Sequence, residues 1–474
     1  MLIGIDVGTT GVKVMCLEPR SGAVLVKAAR EYPSYTDADG THQQDPSQWW
    51  AAVTQCTREV MDRLPGRAIW GIGLAGHMHS LLLVGADDLP VLPAMTWADR
   101  RAANQSARLA KNSTFREVGG NDLVGAFTAP KLAWAIERHP DAVASARRLV
   151  LAKDYIGHRL TGEWATDETD AMGTLLYDHR ESRWSTSLFD AVGASPSLGV
   201  GVLPSTAIRG VVHARAAATT GLPAGTPVVM GAGDVSACVI GAGVVDNSRM
   251  CLNVGTAAQV MGISSTPDPG KGFLFGSATG DGYVTMASLY AAGASVRWAE
   301  QSILRGADIN ETAAAAAPGA GGLTYLPFMF GSTVPRKNDS ARAAFLGQTE
   351  RHGIPQFAGA VLEGIAFACA DAIEAVAQVT GEPESVHLVG GVTGSSRWRR
   401  ALASIVDARL EVVPDGGSCL GAAVLAGLGT GAYSSVSDAA DAVSALPEPR
   451  PEGGERDEYR LARDRYRAWC DRVL

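Results

Sequence analysis

The chain opens with apolar runs separated by short polar, glycine-containing breaks. Leu2 to Val7 is apolar except for Asp6. Gly8-Thr9-Thr10-Gly11 interrupts it, Val12 to Leu17 resumes, and a third run, Ala23 to Ala29, follows another glycine. Short apolar runs joined by tight turns predict an antiparallel three-stranded meander. Asp45-Pro46 then has the form of an N-cap followed by a first-turn proline. Trp49, Val53, Thr57, Val60 and Leu64 return at helical spacing, which predicts a helix packed on that sheet.

The pattern recurs in the second half. Arg249 to Val254, Gly255-Thr256 and Ala258 to Ile263 again predict strand, turn, strand, and GIDVGTTGVKV (4–14) matches CLNVGTAAQVM (251–261) in outline. The repeat suggests two related domains, 1–245 and 246–474, with the boundary in Gly243 to Ser248. Ala313 to Gly322, rich in Ala, Gly and Pro, reads as a connection or hinge. After the Pro/Gly/Glu segment Pro447 to Gly454, Tyr459, Ala462, Tyr466, Trp469 and Val473 mark one face of a terminal helix docked on its own domain.

Composition narrows the class. The 474 residues carry 41 Lys+Arg against 49 Asp+Glu, a formal charge of −8, which argues against nucleic acid as the main partner. Hydrophobic residues make up 46% and supply ample core. The 55 glycines lack a Gly-X-Y period, so collagen is excluded. Seven scattered cysteines without CxxC fit a reducing compartment rather than a disulfide or metal framework. The start, MLIGIDVG, has no basic leader, and no apolar stretch nears the ~18 residues of a membrane helix. A cytoplasmic protein without membrane partners is expected.

Several motifs bear on chemistry. Gly71 to Gly76 matches GxGxxG, but the next residues, His77 to Val84, read as a strand, whereas a dinucleotide site needs a helix there. His77 and His79 would share a face of that strand, with one of them facing solvent; no further Cys or His completes a zinc set. The P-loop signature is absent, so phosphates would have to be cradled by paired Gly-Thr hairpins. Asp6 before the first hairpin is suited to hold Mg²⁺ through water, or is simply a turn cap. Asp234, in Gly231-Ala232-Gly233-Asp234, sits at a strand end opening an Ala-rich helix, where the helix N-terminus is expected to stabilise its carboxylate. It would take a proton from an attacking hydroxyl, or act as an N-cap, or both.

Together these motifs resemble the FGGY carbohydrate kinases of the actin/hexokinase/Hsp70 superfamily, over roughly Gly4 to Gly427. GIDVGTTGVKV (4–14) resembles their first phosphate loop. QQDPSQWW (43–50), GHMHS (76–80), PAMTWADRR (93–101), FTAPKLAW (127–134) and KDYIGHRLTGEWATDETDAMGT (153–174) resemble segments that follow in the same order. GAGD (231–234) matches the stretch with the family's catalytic Asp, and EGIAFA (363–368) and GGVTGSSRWRRALASIV (390–406) resemble its C-terminal signature and nucleotide loop. The resemblance implies an α/β protein with two actin/hexokinase-like (ribonuclease H-like) domains flanking a deep cleft. The N-terminal domain would carry the sugar and the first phosphate loop, the C-terminal one the nucleotide.

The resemblance further implies an ATP- and Mg²⁺-dependent kinase. Asp234 would be the general base, and Asp6 a second catalytic residue at the metal. Met78, His79, Trp97, Asp99 and Asp234 would bind the sugar. Gly8, Thr9, Thr10, Gly255, Thr256, Gly293, Gly390 and Gly391 would bind the nucleotide. Lys131 matches a signature lysine but reads as an exposed helix residue. Val235, His77 and Ser80 stand where the family usually has Asn, Gln and Gly, the second loop is NVGTAAQ, and FGSTVPRKND (330–339) lacks the usual Glu. The resemblance is nearest to members acting on D-xylulose, while Met78-His79-Ser80 and Thr96-Trp97-Ala98-Asp99 are also similar to gluconate-specific members. A different ketose or polyol, a catalytically silent sugar sensor, a chaperone- or filament-like ATPase and a homodimer remain open; a dehydrogenase ranks last.

Overall fold

A computed structural model describes all residues, 1–474. The chain forms two compact units. The first comprises Met1–Val245, Ser265–Val284 and Asp415–Ser444, the second Asp246–Ser264, Thr285–Pro414 and Ala445–Leu474.

The first unit is built on β1 (Leu2–Val7), β2 (Gly11–Leu17), β3 (Val24–Glu31), β4 (Gly71–Gly76), β5 (Ile208–Val211), β6 (Pro227–Val229) and β7 (Ala232–Gly233). Their order is β5–β6–β4–β1–β2–β3, with β7 also beside β4. β1, β2 and β3 form the expected antiparallel meander, and β4 runs parallel to β1 with Val7 opposite Gly76. The helix Pro46–Asp62 starts where expected: the Asp45 carboxylate accepts the Ser47 N–H at 2.8 Å, and Trp49, Val53 and Val60 are buried in the core over β1 and β2.

The GxGxxG segment is itself the strand β4, and no helix begins at it; residues 77–80 form a turn rather than a strand. Its glycines serve packing. A Cβ on Gly73 would lie 1.8 Å from the Ala422 carbonyl oxygen, and one on Gly4 in β1 2.1 Å from that of Cys419. The helix Ser418–Gly429 thus lies directly on the backbone of β1 and β4, closer than any side chain allows.

The second unit repeats this arrangement. β8 (Arg249–Val254), β9 (Ala258–Ser264), β10 (Tyr283–Leu289), β11 (Ser385–Val389), β12 (Arg409–Val412) and β13 (Leu446–Pro447) lie in the order β10–β9–β8–β11–β12–β13. β8 and β9 form the second hairpin, and β11 and β12 follow in parallel. In both units a meander's first strand is flanked by two further parallel strands, so the repeat seen in the two Gly-Thr hairpins extends to the topology.

Ala313–Gly322 is pinned rather than hinge-like. Arg397 donates to the carbonyls of Ala313, Ala316 and Ala317 and pairs with buried Glu363, which also accepts the Gly319 N–H. The terminal helix Gly454–Val473 docks on its own unit through Tyr459, Ala462, Tyr466 and Cys470. Val473 is exposed, and Cys470 takes the buried place expected for it, four residues after Tyr466. All seven cysteines are buried and none forms a disulfide, and no helix is long and apolar enough to cross a membrane.

Candidate active site

Asp234 stands where β7 passes into the helix Asp234–Gly241. β7 pairs with β4 so that Gly233 faces Gly76, which places Asp234 beside the turn carrying His77, Met78 and His79. The Val235 N–H donates to Asp234 Oδ1 at 2.9 Å, and the Met78 N–H also bonds this partly exposed carboxyl. Against the sequence expectation, the helix terminus does not hold the carboxylate in its usual range. Its pKa is pushed up to about 7, first by burial and then by the charge of Asp6, and the N–H donors only moderate the rise.

Asp6, the penultimate residue of β1, is 5% exposed. Its Oδ2 accepts the Ser418 hydroxyl at 2.6 Å, while its Oδ1 is buried with no partner. Burial raises its pKa. An unpartnered buried carboxylate oxygen within electrostatic reach of a second carboxylate suits Mg²⁺, which takes one or two carboxylates and fills its remaining positions with water and phosphate oxygens.

The hairpin after Asp6 is braced on several sides. Gly8 N–H donates to the Gly11 carbonyl at 3.0 Å, and the Tyr32 hydroxyl donates to the Gly8 carbonyl. Gln44 Nε2 donates to the Thr9 carbonyl at 2.7 Å, and Trp97 Nε1 to Thr9 Oγ1 at 2.8 Å. Thr10 is exposed, as is 48% of Trp97.

The two histidines occupy different environments, and neither is a solvent-facing strand residue. His77 is fully buried, bonded to Ser80 Oγ at 2.6 Å and set edge-on against Trp49. His79 turns the chain at φ 67°, which breaks the alternation expected of a strand. Its Nδ1 lies 2.7 Å from the Gly173 carbonyl, an acceptor only, so Nδ1 carries the proton and Nε2 is left as an acceptor. Burial lowers its pKa to about 4 and keeps the ring neutral.

Met78 packs under Gly233, where a Cβ would lie 2.6 Å from its Cγ. Asp99, expected to bind the sugar, is instead buried with its oxygens taken up by Arg101 and the His42 N–H at 3.0 Å. Lys131 is fully buried rather than exposed. Its ammonium donates to the carbonyls of His79, Ala126 and Phe127, which ties the histidine turn to the helix Thr128–Arg138.

In the second unit, Gly255, Thr256, Gly293 and Gly390 converge around the end of β8. The Gly293 N–H donates to the Gly255 carbonyl at 3.0 Å, and a Cβ on Gly293 would lie 2.5 Å from that oxygen. Gly390, at φ 96°, leaves β11 against the Val254 carbonyl, and Gly391 is exposed beside it. Arg297 donates to Thr256 Oγ1 at 3.3 Å.

Two features were not legible as site components: Ser418, and the buried quartet Lys153, Asp154, Asp167 and Asp170. No local pattern marks the quartet, since Arg159, Glu163 and Glu168 carry charge in the same 150–173 stretch.

The chain belongs to the FGGY family of carbohydrate kinases: residues 1–241 match the family's N-terminal domain and residues 250–430 its C-terminal domain. Sugar kinases of this family use ATP. The chain is 32% identical over 447 residues to the xylulose kinase of Escherichia coli (strain K12), covering 90% of this chain and 89% of the relative. The crystal structure of a xyloylose kinase from Brucella ovis superposes with a TM-score of 0.91 at 28% identity, covering 100% and 99% of the two chains. That of a gluconate kinase from Lactobacillus acidophilus gives 0.90 at 25% identity, covering 99% and 97%.

Proposed function

We propose that the protein transfers the γ-phosphate of ATP to a hydroxyl of D-xylulose, giving D-xylulose 5-phosphate. The observation carrying the chemistry is Asp234, a partly exposed carboxyl poised near pH 7 beside the His79 turn and the Asp6 hairpin. In its ionised form Asp234 accepts the proton of the attacking hydroxyl. His79 Nε2 accepts a hydrogen bond from another sugar hydroxyl, and Met78 and Trp97 supply apolar surface, with Asp99 holding the loop after Trp97 through Arg101. The first unit is thus the sugar-binding part and carries the first phosphate loop, Gly8, Thr9 and Thr10. Gly255, Thr256, Gly293, Gly390 and Gly391 of the second unit contact the nucleotide.

Asp6 would hold Mg²⁺, which when bound neutralises charge on the phosphate oxygens. The protein's own contribution is positioning, a proton acceptor and backbone donors at the phosphates. The substrate follows from the several xylulose kinases among the relatives; gluconate is the second reading, carried by the gluconate kinase likeness and the Met78-His79-Ser80 turn. The test is ADP release across ketopentoses, polyols and aldonic acids, with Asp234→Asn as control. D-xylulose should give the highest kcat/KM. A preference for gluconate would shift the substrate, and sugar binding without ADP release would make the protein a sensor.

A further inference from the structure

Lys153, Asp154, Asp167 and Asp170 form a cluster of four ionisable side chains with no exposed surface. Lys153 Nζ lies 2.7 Å from Asp154 Oδ1, 2.9 Å from Asp167 Oδ1 and 3.0 Å from Asp170 Oδ2. Burying three carboxylates around one ammonium is costly, and such an arrangement persists where the surrounding structure requires it. The proton acceptor and the sugar contacts of the proposed mechanism include none of these groups.

The cluster sits directly behind the site. Asp167 caps the short helix Glu168–Gly173: its Oδ2 accepts the Thr169 N–H at 2.9 Å, the Thr169 hydroxyl at 2.6 Å and the Ser205 hydroxyl at 2.9 Å. Thr169 Oγ1 in turn accepts the Gly233 N–H at 2.8 Å. A hydroxyl has one proton. Thr169 gives its proton to Asp167, which leaves its lone pairs facing Gly233, the residue before Asp234. At the other end of the same helix, the Gly173 carbonyl accepts from His79 Nδ1 at 2.7 Å. A Cβ on Gly76 would meet the Lys153 backbone N at 2.9 Å, so the cluster also abuts the strand that leads into Met78.

We infer that residues 167–173, anchored by Lys153, are a positioning bracket that fixes Asp234 through Thr169 and Gly233 and fixes the His79 ring through Gly173. The bracket sets the separation between the proton acceptor and a sugar contact, and this rests on the reading of Asp234 as the base. Thr169 and Lys153 are positioning residues that act through Asp234 and His79.

Lys153→Met would leave three buried carboxylates without their cation and is expected to unfold the unit, so the test is placed on Thr169. Thr169→Val keeps the shape and loses the hydroxyl; Thr169→Ser keeps the hydroxyl and loses the methyl. Thr169→Val should lower kcat ten- to a hundredfold with the KM for ATP changed less than twofold, and Thr169→Ser should stay within threefold of the parent. In the double variant with Asp234→Asn, Thr169→Val should cost less than threefold beyond Asp234→Asn alone, since the bracket works through that carboxylate. The bracket is overturned if Thr169→Val turns over within threefold of the parent, if Ser is as impaired as Val, or if the two losses multiply. Near-normal turnover of Asp234→Asn by itself would instead remove the base assignment.

Discussion

Ser418 Oγ donates to Asp6 Oδ2 at 2.6 Å, joining residues 412 positions apart in the chain. The bond leaves Asp6 Oδ1 as the free buried acceptor. A hydrogen bond to a charged group contributes about 1.5–3 kcal/mol. Ser418→Ala should therefore lower kcat/KM for ATP by about tenfold or more and raise the Mg²⁺ concentration needed for half-maximal rate. Thr in its place should restore most of the loss. Initial rates over a Mg²⁺ series check this; an unchanged Mg²⁺ requirement would remove Ser418 from the site.

The raised pKa of Asp234 sets a pH dependence. A proton acceptor works only when ionised, so kcat/KM should rise about tenfold per pH unit below the midpoint and level off above it. The midpoint should lie near 7, where burial and Asp6 place the group. Asp234→Asn should lose at least about two decades in kcat and the acid limb with it.

The same shift has a consequence for stability. A carboxyl whose pKa is higher folded than unfolded binds more protons in the folded state between the two values, so stability falls as pH rises through that window. For Asp234 the window runs from 3.8 to about 7. Asp234→Asn should melt higher than the parent at pH 8, and the difference should vanish near pH 4. Calorimetry at the two pH values checks the sign.

Gly73→Ala should be among the most damaging methyl additions in the first unit. Its Cβ would lie 1.8 Å from the Ala422 oxygen, a backbone atom that cannot rotate away. The helix Ser418–Gly429 must lift, at a cost of about 1–3 kcal/mol or more, and Ser418 lifts with it. A lowered melting temperature together with the Mg²⁺ phenotype of Ser418→Ala is the expected pair of readouts.

Gly293→Ala isolates the second unit. Its Cβ would lie 2.5 Å from the Gly255 oxygen and displace the Gly255-Thr256 turn. The KM for ATP should rise severalfold, while sugar affinity measured by calorimetry without nucleotide stays unchanged. A loss of sugar affinity would contradict the division of roles proposed for the two units.

Both hairpins, the helix after Asp45 and the strand-to-helix step at Asp234 were legible in the sequence because each is written in local pattern: a period, a cap, a glycine turn. What escaped depends on distance or on burial of charge. Lys131 sits on an amphipathic helix and reads as exposed, yet three carbonyls receive its ammonium in the interior. Lys153 and its three carboxylates belong to two helices and a cap, and meet only in the folded interior. The strand assigned to His77 and His79 failed at one left-handed residue that no pattern of alternation reveals. Ser418 has no local mark, because an apolar Gly/Ala helix does not announce which sheet it covers.

The return of residues 415–444 to the first unit bears on how the protein is made. Along the chain, Ser418 and the helix that lies on β1 and β4 follow Asp6 only after more than four hundred residues. Until then the first sheet lacks its covering helix, and a nascent chain cut short before that helix would carry an unfinished carboxylate site. The Asp6–Ser418 pairing therefore waits on the far end of more than four hundred residues of chain.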